Sequence, residues 1–303
     1  MRIFVAGATG VIGRRLVPQL VAQGHEVTAL TRRDHAVAEG VRTVVGDVYD
    51  AAGLREVVAA ARPEVVFHQL TDLSSQDFAA NSRIRREGTR NLIDAALFAG
   101  VDRVISQSIA WAYEPGDAPA VESTPFDLNA ADDRRRASVQ AVAALEDITA
   151  EASEWVVLRY GMLYGPDTWY TKGGAMADLA ATGNLPTGPD ITSFLHVDDA
   201  ASAAAAALHW PTGPVNIVDN TPAPASEWTP AFAESVGAPA PTTSAGPPGP
   251  ATSADVPASP ASPAPSGAAP ARTPWARGAS SIHARTNLDW TPAHPTWRSG
   301  FWS

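Results

Sequence analysis

The sequence predicts an α/β fold in which a doubly wound parallel sheet is followed by a smaller C-terminal region. Short apolar runs alternate with segments of helical periodicity through residue 160, and this alternation is typical of a right-handed parallel sheet with helices on both faces. The first run, residues 3–6, is too short for a helix and leads directly into Gly7, Gly10 and Gly13. A buried strand that enters a tight turn fits this spacing best.

The remaining elements follow in order along the chain. Apolar residues recur at helical spacing after the glycines, and Gly24 with His25 ends that helix before the second strand begins. We expect strands at 2–6, 26–31, 43–45, 64–68, 103–106, 155–159 and near 215–218. We expect helices at about 11–23, 51–61, 78–99, 136–151, 199–208 and 226–236.

The glycine turn predicts a site for a dinucleotide pyrophosphate. Backbone N–H groups at the start of a helix have no partner within the helix. Glycine lets the backbone come close to a phosphate, and the partial positive charge of the helix N-terminus favours the anion. The residues predicted to bind there are Gly7, Thr9, Gly10, Val11, Ile12 and Gly13.

The end of the second strand predicts which dinucleotide binds. An acidic residue at this position would bind the ribose 2′-hydroxyl of NAD, whereas this chain has Thr31, Arg32 and Arg33. Arginines suit a 2′-phosphate, so NADP is the predicted cofactor and NAD the alternative. The other interpretation is that both arginines are ordinary solvated surface residues.

Five further segments carry a family resemblance. They are Val-Val-Gly-Asp at 44–47, Val-Val-Phe-His at 65–68, Val-Ile-Ser-Gln-Ser at 104–108, Leu-Arg-Tyr-Gly-Met-Leu-Tyr-Gly-Pro at 158–166 and Phe-Leu-His-Val-Asp-Asp at 194–199. In this order they resemble an extended or atypical short-chain dehydrogenase/reductase of the NAD-dependent epimerase/dehydratase type. The resemblance covers roughly residues 1–236, resumes near Arg277, and implies a Rossmann fold.

The resemblance also implies further contacts with the cofactor. In this family the carboxylate at the position of Asp47 contacts the adenine amino group, and Val48 lies beside it. The cofactor passes over the residues that follow the fourth strand, which are Gln69, Leu70 and Thr71 here.

The catalytic pattern of the family is missing. Short-chain reductases use a Tyr-x-x-x-Lys pair on one helix face, in which the phenol exchanges the proton and the ammonium lowers the phenol pKa. This chain has a single lysine, Lys172, and residue 168 is a threonine. Counting back from Glu146, which resembles the acidic residue that ends the pattern, places Ser138 and Val142 at the two catalytic positions.

Three hydroxyl groups remain as catalytic candidates. Ser108 is expected to bind a substrate carbonyl, and Tyr113 is the nearest candidate proton donor. The alternative for Tyr113 is a hydrogen-bonded loop tyrosine. Tyr164 is a second candidate donor, although the family uses that position mainly for structure.

Other residues are open to two interpretations. Trp169 and Tyr170, beside a pair of glycines, either form a lid over the substrate or cap the core. The arginines at 134–136 either bind an anionic substrate group or begin a solvated helix. Asp198 and Asp199 are expected to N-cap the helix at 199–208.

Composition excludes several functional classes. A net charge of −10 argues against binding to nucleic acid or an anionic membrane. There is no cysteine, and the seven histidines show no ligand spacing, so no metal site is expected. His68 is expected to be a hydrogen-bonded structural residue. Because the first strand begins at residue 2 and no long apolar run occurs, we expect a cytoplasmic protein.

We expect residues 1–165, with about 190–220, to form the NADP-binding core. Residues 166–189 and 221–303 are expected to form the substrate-binding region, interrupted by a linker at 239–275, in which 11 of 37 residues are proline. A docking motif for a protein partner is the alternative for that linker. Aromatic residues predict that the tail after it packs on the body; they are Trp275, Trp290, Trp297, Phe301 and Trp302.

Three functional classes fit these observations. The first is an NADP-dependent oxidoreductase or epimerase that acts on a carbonyl or hydroxyl group of a small metabolite. The second is a non-redox enzyme of the same fold that performs a dehydration, cyclisation or isomerisation. The third is a nucleotide-sensing binding protein. In each case the partner is a small molecule, and a homo-oligomer is compatible with the sequence.

Overall fold

A seven-stranded sheet forms the α/β part of the fold that the sequence predicts. The structure is a computed structural model that describes residues 1–33, 36–71, 78–241 and 271–301. The strands of this sheet are β1 (Arg2–Ala6), β2 (Glu26–Thr31), β3 (Arg42–Val45), β4 (Val65–His68), β5 (Arg103–Ile109), β6 (Glu154–Tyr160) and β10 (Gly213–Ile217). They are arranged in the order β10-β6-β5-β4-β1-β2-β3.

Strand β1 lies where the strand order changes direction. It pairs in parallel with β2 on one side and with β4 on the other, and the pairs β2–β3 and β4–β5 are also parallel. In open α/β sheets, ligands bind outside the carboxyl ends of the strands at such a switch point. The loops that follow β1 and β4 therefore meet at the position that the fold reserves for a ligand.

The helices follow the predicted alternation. They are α1 (Gly13–Ala22), α2 (Ala51–Ala61), α3 (Phe78–Arg83), α4 (Thr89–Phe98), α5 (Asp133–Thr149), α6 (Ala175–Ala181), α7 (Val197–Ala206), α8 (Ala225–Ser235), α9 (Ile282–Asn287) and α10 (Trp297–Gly300). The single helix predicted at 78–99 contains a π-helical turn at Ile84–Gly88, which joins α3 to α4. None of the described helices is long and apolar enough to span a bilayer.

The chain forms two compact units. The first consists of Met1–Ile109, Ala137–Arg159 and Ala200–Val215, and the second of Ala110–Arg136, Tyr160–Asp199 and Asn216–Ser303. The sequence-based division assigns residues 110–136, 160–165, 190–199 and 216–220 to the first unit, whereas they belong to the second. Their contacts explain this: Tyr113 packs in a small apolar cluster with Ala120, Val218 and Ala279.

Each unit has its own apolar core. In the first unit, buried residues of the sheet pack against α2 and α4, with Phe4, Leu54 and Leu92 fully buried. The second unit contains two short strand pairs, β7 (Met162–Tyr164) with β9 (Phe194–His196) and β8 (Ile191–Thr192) with β11 (Ala223–Pro224).

An aromatic cluster forms the main core of the second unit. Tyr170 is 4% exposed, and its ring lies against Phe194, Trp228 and Phe232 at centroid distances of 5.2–5.7 Å. Trp169 is partly buried against the same cluster. The interpretation that these two rings complete the core, rather than form a lid, is therefore the one that the structure bears out.

The C-terminal segment packs on the second unit, as predicted from its aromatic residues. Trp297 is completely buried, its backbone N–H donates to Asp219 Oδ2 at 2.8 Å, and its indole N–H donates to the Thr221 carbonyl at 2.8 Å. Trp290 is also buried. Residues 242–270 of the predicted linker, and Trp302, lie outside the described residues.

Two predictions at the helix termini are wrong. Helix α7 begins at Val197, so Asp198 and Asp199 lie within its first turn and not before it. The buried Asp199 carboxylate instead accepts the backbone N–H groups of Ala293 and His294 at 2.8 and 2.9 Å. Its function is to hold the C-terminal segment.

The arginine triple also differs from the prediction of a solvated helix start. Arg135 is buried and donates from Nε to Asp127 Oδ2 at 2.8 Å and from Nη2 to the Tyr113 carbonyl at 2.9 Å. Burial lowers the pKa of this guanidinium, and the hydrogen bond with Asp127 opposes that shift. Arg135 thus connects α5 to the preceding loop.

Replacing Trp297 with alanine should lower the free energy of unfolding by about 3–5 kcal/mol, because it leaves a large cavity in a fully buried site. The Ile282→Ala variant is the matched control in the same segment, since Ile282 is 48% exposed, and it should change stability by less than about 0.5 kcal/mol. Urea denaturation measures both. Small and equal changes in the free energy of unfolding of the two variants would contradict the packing of the C-terminal segment.

Candidate active site

The loop between β1 and α1 contains two glycines that the local packing requires. Gly7 has φ +93°, and a Cβ atom there would lie 2.3 Å from the Gln69 carbonyl oxygen. A Cβ at Gly13 would lie 2.1 Å from the Gly7 carbonyl oxygen. Both distances are much shorter than a van der Waals contact. These residues allow the first turn of α1 and the loop after β4 to approach each other.

Gly10 has a different environment. A Cβ there would meet only the Gly7 carbonyl oxygen, at 3.3 Å, so its side is otherwise open. Within the described residues, the N–H groups of Val11, Ile12 and Gly13 have no hydrogen-bond partner. Three amide donors at the start of a ten-residue helix, beside an open glycine, are the arrangement that a pyrophosphate needs.

Gln69 supplies a second indication of a ligand. Its side chain is 5% exposed, and neither Oε1 nor Nε2 has a hydrogen-bond partner in the described part of the chain. The backbone of this loop is well fixed, because Gln69 N–H donates to the Ala6 carbonyl at 2.8 Å and Gln107 Nε2 donates to the Leu70 carbonyl at 2.8 Å. A buried amide without partners costs free energy unless a ligand satisfies it. Thr71 is exposed at the end of this loop.

His68 is a hydrogen-bonded structural residue that supports this loop, as predicted. Its Nδ1 accepts the Leu70 N–H at 3.3 Å, so Nε2 carries the proton and donates to Thr89 Oγ1 at 2.8 Å. Burial lowers the pKa of His68 to about 4. The ring is therefore neutral near pH 7 and has a structural role.

The ends of β2 and β3 present the residues predicted to bind the adenosine half. The buried Thr31 hydroxyl donates to the Arg33 carbonyl at 2.7 Å and shapes the turn, and both Arg32 and Arg33 are exposed. Asp47 is exposed and accepts the Tyr49 N–H at 2.9 Å, while Val48 is buried in the core. The side chains and amides of this edge fit a dinucleotide.

Ser108 is the catalytic candidate of the first unit, and its hydroxyl has a partner. Ser108 Oγ lies 2.6 Å from Glu146 Oε1, and a carboxylate can only accept, so the serine donates. Glu146 also forms a buried ion pair with Arg159, with Nη2–Oε2 at 2.7 Å. In this structure the serine proton is therefore directed at Glu146, and the Oγ lone pairs remain for a ligand.

The helix that carries the proton relay in the family has a different role here. Thr149 of α5 donates to the Leu145 carbonyl and therefore accepts from Ser106 Oγ, 2.9 Å away, and Glu146 accepts from Ser108. Ser138, at the position of the missing tyrosine, is 6% exposed, and Val142, at that of the lysine, is 1% exposed. The face of α5 that would carry the Tyr/Lys pair is buried.

The other two catalytic candidates lie in the second unit. Tyr113 is 1% exposed, and its hydroxyl donates to Asn216 Oδ1. The Tyr164 ring is completely buried against Phe301, and a Cβ at Gly300 would lie only 2.3 Å from it. Burial raises the pKa of the Tyr164 phenol, and the negative charge of nearby carboxylates adds to this. Proton donation by Ser108, Tyr113 or Tyr164 stays a prediction.

A recess with mostly apolar walls lies within the second unit. The loop after β5 contributes Trp111 and Tyr113 to it. The opposite wall is the segment Trp275, Ala276, Arg277 and Gly278. Sequence reasoning placed Trp275 at the boundary between the linker and the tail that was expected to pack on the body, and it gave Arg277 no role. The only signal was that the resemblance resumes at Arg277.

The fold also brings together three groups that are far apart in sequence. In the described residues, His196, Asp199 and His294 have potential metal-ligand atoms within 4.8 Å of one another. The two imidazole rings are stacked, with centroids 3.7 Å apart, so their in-plane lone pairs run side by side and do not converge. Asp199 already accepts two backbone N–H groups. This cluster connects the tail to α7.

The chain belongs to the NAD dependent epimerase/dehydratase family, whose model matches residues 3–218. One relative, the 3-diazoavenalumate denitrifying reductase of a Streptomyces species, is 43% identical over 320 residues, which cover 99% of each chain. The homologues are enzymes named as reductases and epimerases, and this chain belongs to the same enzymatic family.

Solved structures share the fold. The UDP-glucose 4-epimerase of Thermus thermophilus in complex with NAD is 23% identical, with a TM-score of 0.74 over 100% of this chain and 97% of the epimerase. WbmG of Bordetella bronchiseptica, solved with NAD and UDP, is 21% identical, with a TM-score of 0.73 over 99% and 91%. This likeness confirms the Rossmann-type α/β fold.

Replacing Gly10 with alanine should separate binding from folding. The melting temperature should stay within a few degrees of that of the wild type, because the added Cβ meets only one atom. The dinucleotide affinity should fall by about tenfold or more, since the methyl group occupies the approach to the amide donors. Gly13→Ala is the control, and it should lower the melting temperature because of its 2.1 Å contact. Calorimetric titration with NADPH and NADH measures binding; unchanged affinity in Gly10→Ala would rule out this site.

Proposed function

We propose that this protein is an NADPH-dependent reductase that removes a diazo group, as N₂, from an aromatic carboxylic acid. The observation that carries the proposal is the Ser108–Glu146 hydrogen bond of 2.6 Å, in a chain without a Tyr-x-x-x-Lys pattern. Support also comes from the relative that is 43% identical over almost the whole of both chains, whose name specifies a diazo substrate and a loss of nitrogen.

The chemistry that a bound NADPH supplies is a hydride: the carbon that bears the diazonium group gains it, the C–N bond breaks with its electron pair leaving as N₂, and NADP⁺ is the second product. For the diazonium cation, charge and atoms balance without a proton, because its positive charge cancels that of the hydride and dinitrogen leaves as a neutral molecule. Carbonyl reduction, by contrast, creates an alkoxide that a positioned acid must protonate. A chain that reduces a diazonium carbon has no use for the family's tyrosine and lysine.

The protein's own residues would bind and orient the cofactor and the substrate. The amides at 11–13 and the Gln69 side chain would hold the dinucleotide. Ser108, fixed by Glu146 and Arg159, offers only lone pairs, which suit a cationic diazonium group better than a carbonyl oxygen.

A second candidate function is an oxidoreductase or epimerase that acts on a carbonyl or hydroxyl group of a small metabolite. It is favoured by the family to which the chain belongs, and it requires Tyr113 or Tyr164 to exchange the proton. The hydrogen bond from Tyr113 to Asn216 and the burial of Tyr164 make this the weaker of the two candidates.

Isotope labelling tests the reaction. With 3-diazoavenalumate as substrate, one N₂ should be released for each NADPH oxidised. If the cofactor carries deuterium at the transferred position, the product should carry it on the carbon that lost nitrogen, whereas D₂O should not label that carbon. Reduction of an aromatic aldehyde or epimerisation of UDP-glucose, with no turnover of the diazo acid, would replace this proposal with the second candidate.

We propose NADP rather than NAD as the cofactor, on the basis of the exposed Arg32 and Arg33 at the end of β2. The Arg32→Asp variant should bind NADPH about tenfold or more weakly, the size of a lost charge-assisted contact, and should bind NADH at least as well as the wild type does. The exposed Arg134→Asp makes the same change in net charge and should have no effect. A wild-type preference for NADH in the same titrations would refute the assignment.

A further inference from the structure

We infer that the recess of the second unit is a binding site for an aromatic monocarboxylate and that Arg277 determines its specificity for the carboxylate. This inference deepens the proposed function and rests on it for the reaction, although the binding that it describes can be measured without any reaction. The recess is open to solvent, and its own volume is about 50 Å³. Its residues all belong to one unit.

The walls of the recess suit a planar, apolar group. Trp111, Met162, Ile191 and Trp275 line it. The Trp275 ring is fixed from one side, because the Arg135 guanidinium lies 4.2 Å from its centroid. No hydrogen-bond partner for the indole N–H of Trp111 or Trp275 occurs in the described part of the chain. An aromatic ring with polar substituents therefore finds apolar contact and two donors here.

Arg277 is the cation of the recess, and neutral groups hold it. Its Nε donates to the Ala118 carbonyl, and its Nη1 lies 3.3 Å from the Glu114 carbonyl and 3.4 Å from that of Pro115. Gly116 makes room for this arrangement, since a Cβ there would lie 2.1 Å from Nη1. Backbone carbonyls orient the guanidinium but do not neutralise it.

Two neighbouring arginines differ from Arg277 in this respect. Arg135 pairs with Asp127 at 2.8 Å and Arg272 with Asp117 at 3.5 Å. Among the residues that the structure describes, no carboxylate pairs with Arg277. An oriented and uncompensated guanidinium beside an apolar wall favours an anionic ligand, and a carboxylate matches its planar donor geometry.

The same residues argue against a nucleotide sugar as the ligand. A nucleoside diphosphate carries at least two negative charges, whereas Arg277 is the single unpaired cation among the described residues that line the recess. The other lining residues are apolar or small, apart from hydroxyl groups such as those of Thr192 and Ser193, and Ser193 is already hydrogen-bonded with the backbone of Ala279. One charge beside aromatic walls matches an aromatic monocarboxylate.

Calorimetric titration of the full chain tests this inference with three probes: trans-cinnamate, trans-cinnamamide and UDP-glucose. The wild type should bind cinnamate about tenfold or more tightly than the uncharged amide, and UDP-glucose should not displace it. Arg277→Gln should lose the preference for the acid while its affinity for the amide stays unchanged. Arg272→Gln is the matched control from the same segment, and it should keep the preference.

A second variant covers the case in which Arg277→Gln fails to fold, which its melting curve would reveal. Arg277→Lys keeps the charge but loses part of the carbonyl contacts, so a preference for cinnamate over the amide should persist in it at reduced strength. The inference is overturned if the wild type binds acid and amide equally, if UDP-glucose displaces cinnamate, if Arg272→Gln has the same effect as Arg277→Gln, or if a folded Arg277→Lys shows no preference. Because cinnamate has no diazo group, these results do not depend on whether the proposed reduction occurs.

Discussion

The contact between the loop after β1 and the loop after β4 is the constraint on which the first unit depends. Only a residue without a side chain can lie where Gly7 meets the Gln69 carbonyl, because a Cβ would come within 2.3 Å of it. This contact brings together the loops at the carboxyl ends of β1 and β4 and places the start of α1 beside the Gln69 side-chain amide. For this reason the unpaired N–H groups of residues 11–13 and the Gln69 side chain, which has no hydrogen-bond partner among the described residues, lie at the same edge of the sheet.

The local part of the fold could be predicted because it depends on short-range signals. The strand β1, the glycine turn and the helix α2 are read from apolar runs and turn residues, and the structure places β1, β2 and α2 at their predicted bounds. Contacts between residues distant in sequence could not be read in this way. Asp199 looks like an N-cap from its position before an alanine-rich run, and its true partners, Ala293 and His294, are more than 90 residues away.

The candidate site likewise contains residues that could be predicted from local sequence and contacts that could not. The residues at the carboxyl ends of β1 and β4 could be assigned from the strand-turn-helix pattern, whereas the partners of Ser108 could not. Its hydrogen bond with Glu146 depends on the packing of α5 against β5, and that of Tyr113 with Asn216 links positions 103 residues apart. The recess was missed because the aromatic residues of the tail predict that it packs on the body but do not predict which residues it contacts.

The attachment of the C-terminal segment has a consequence for how the protein is made. Trp111 and Tyr113 are synthesised before Trp275 and Arg277, which line the same recess. Asp199 and Asp219 hold the C-terminal segment through its backbone amides. A growing polypeptide therefore contains one wall of the recess well before the segment that completes it has been made. Residues 271–301 therefore complete the recess, and the recognition of an aromatic acid that we infer requires this segment.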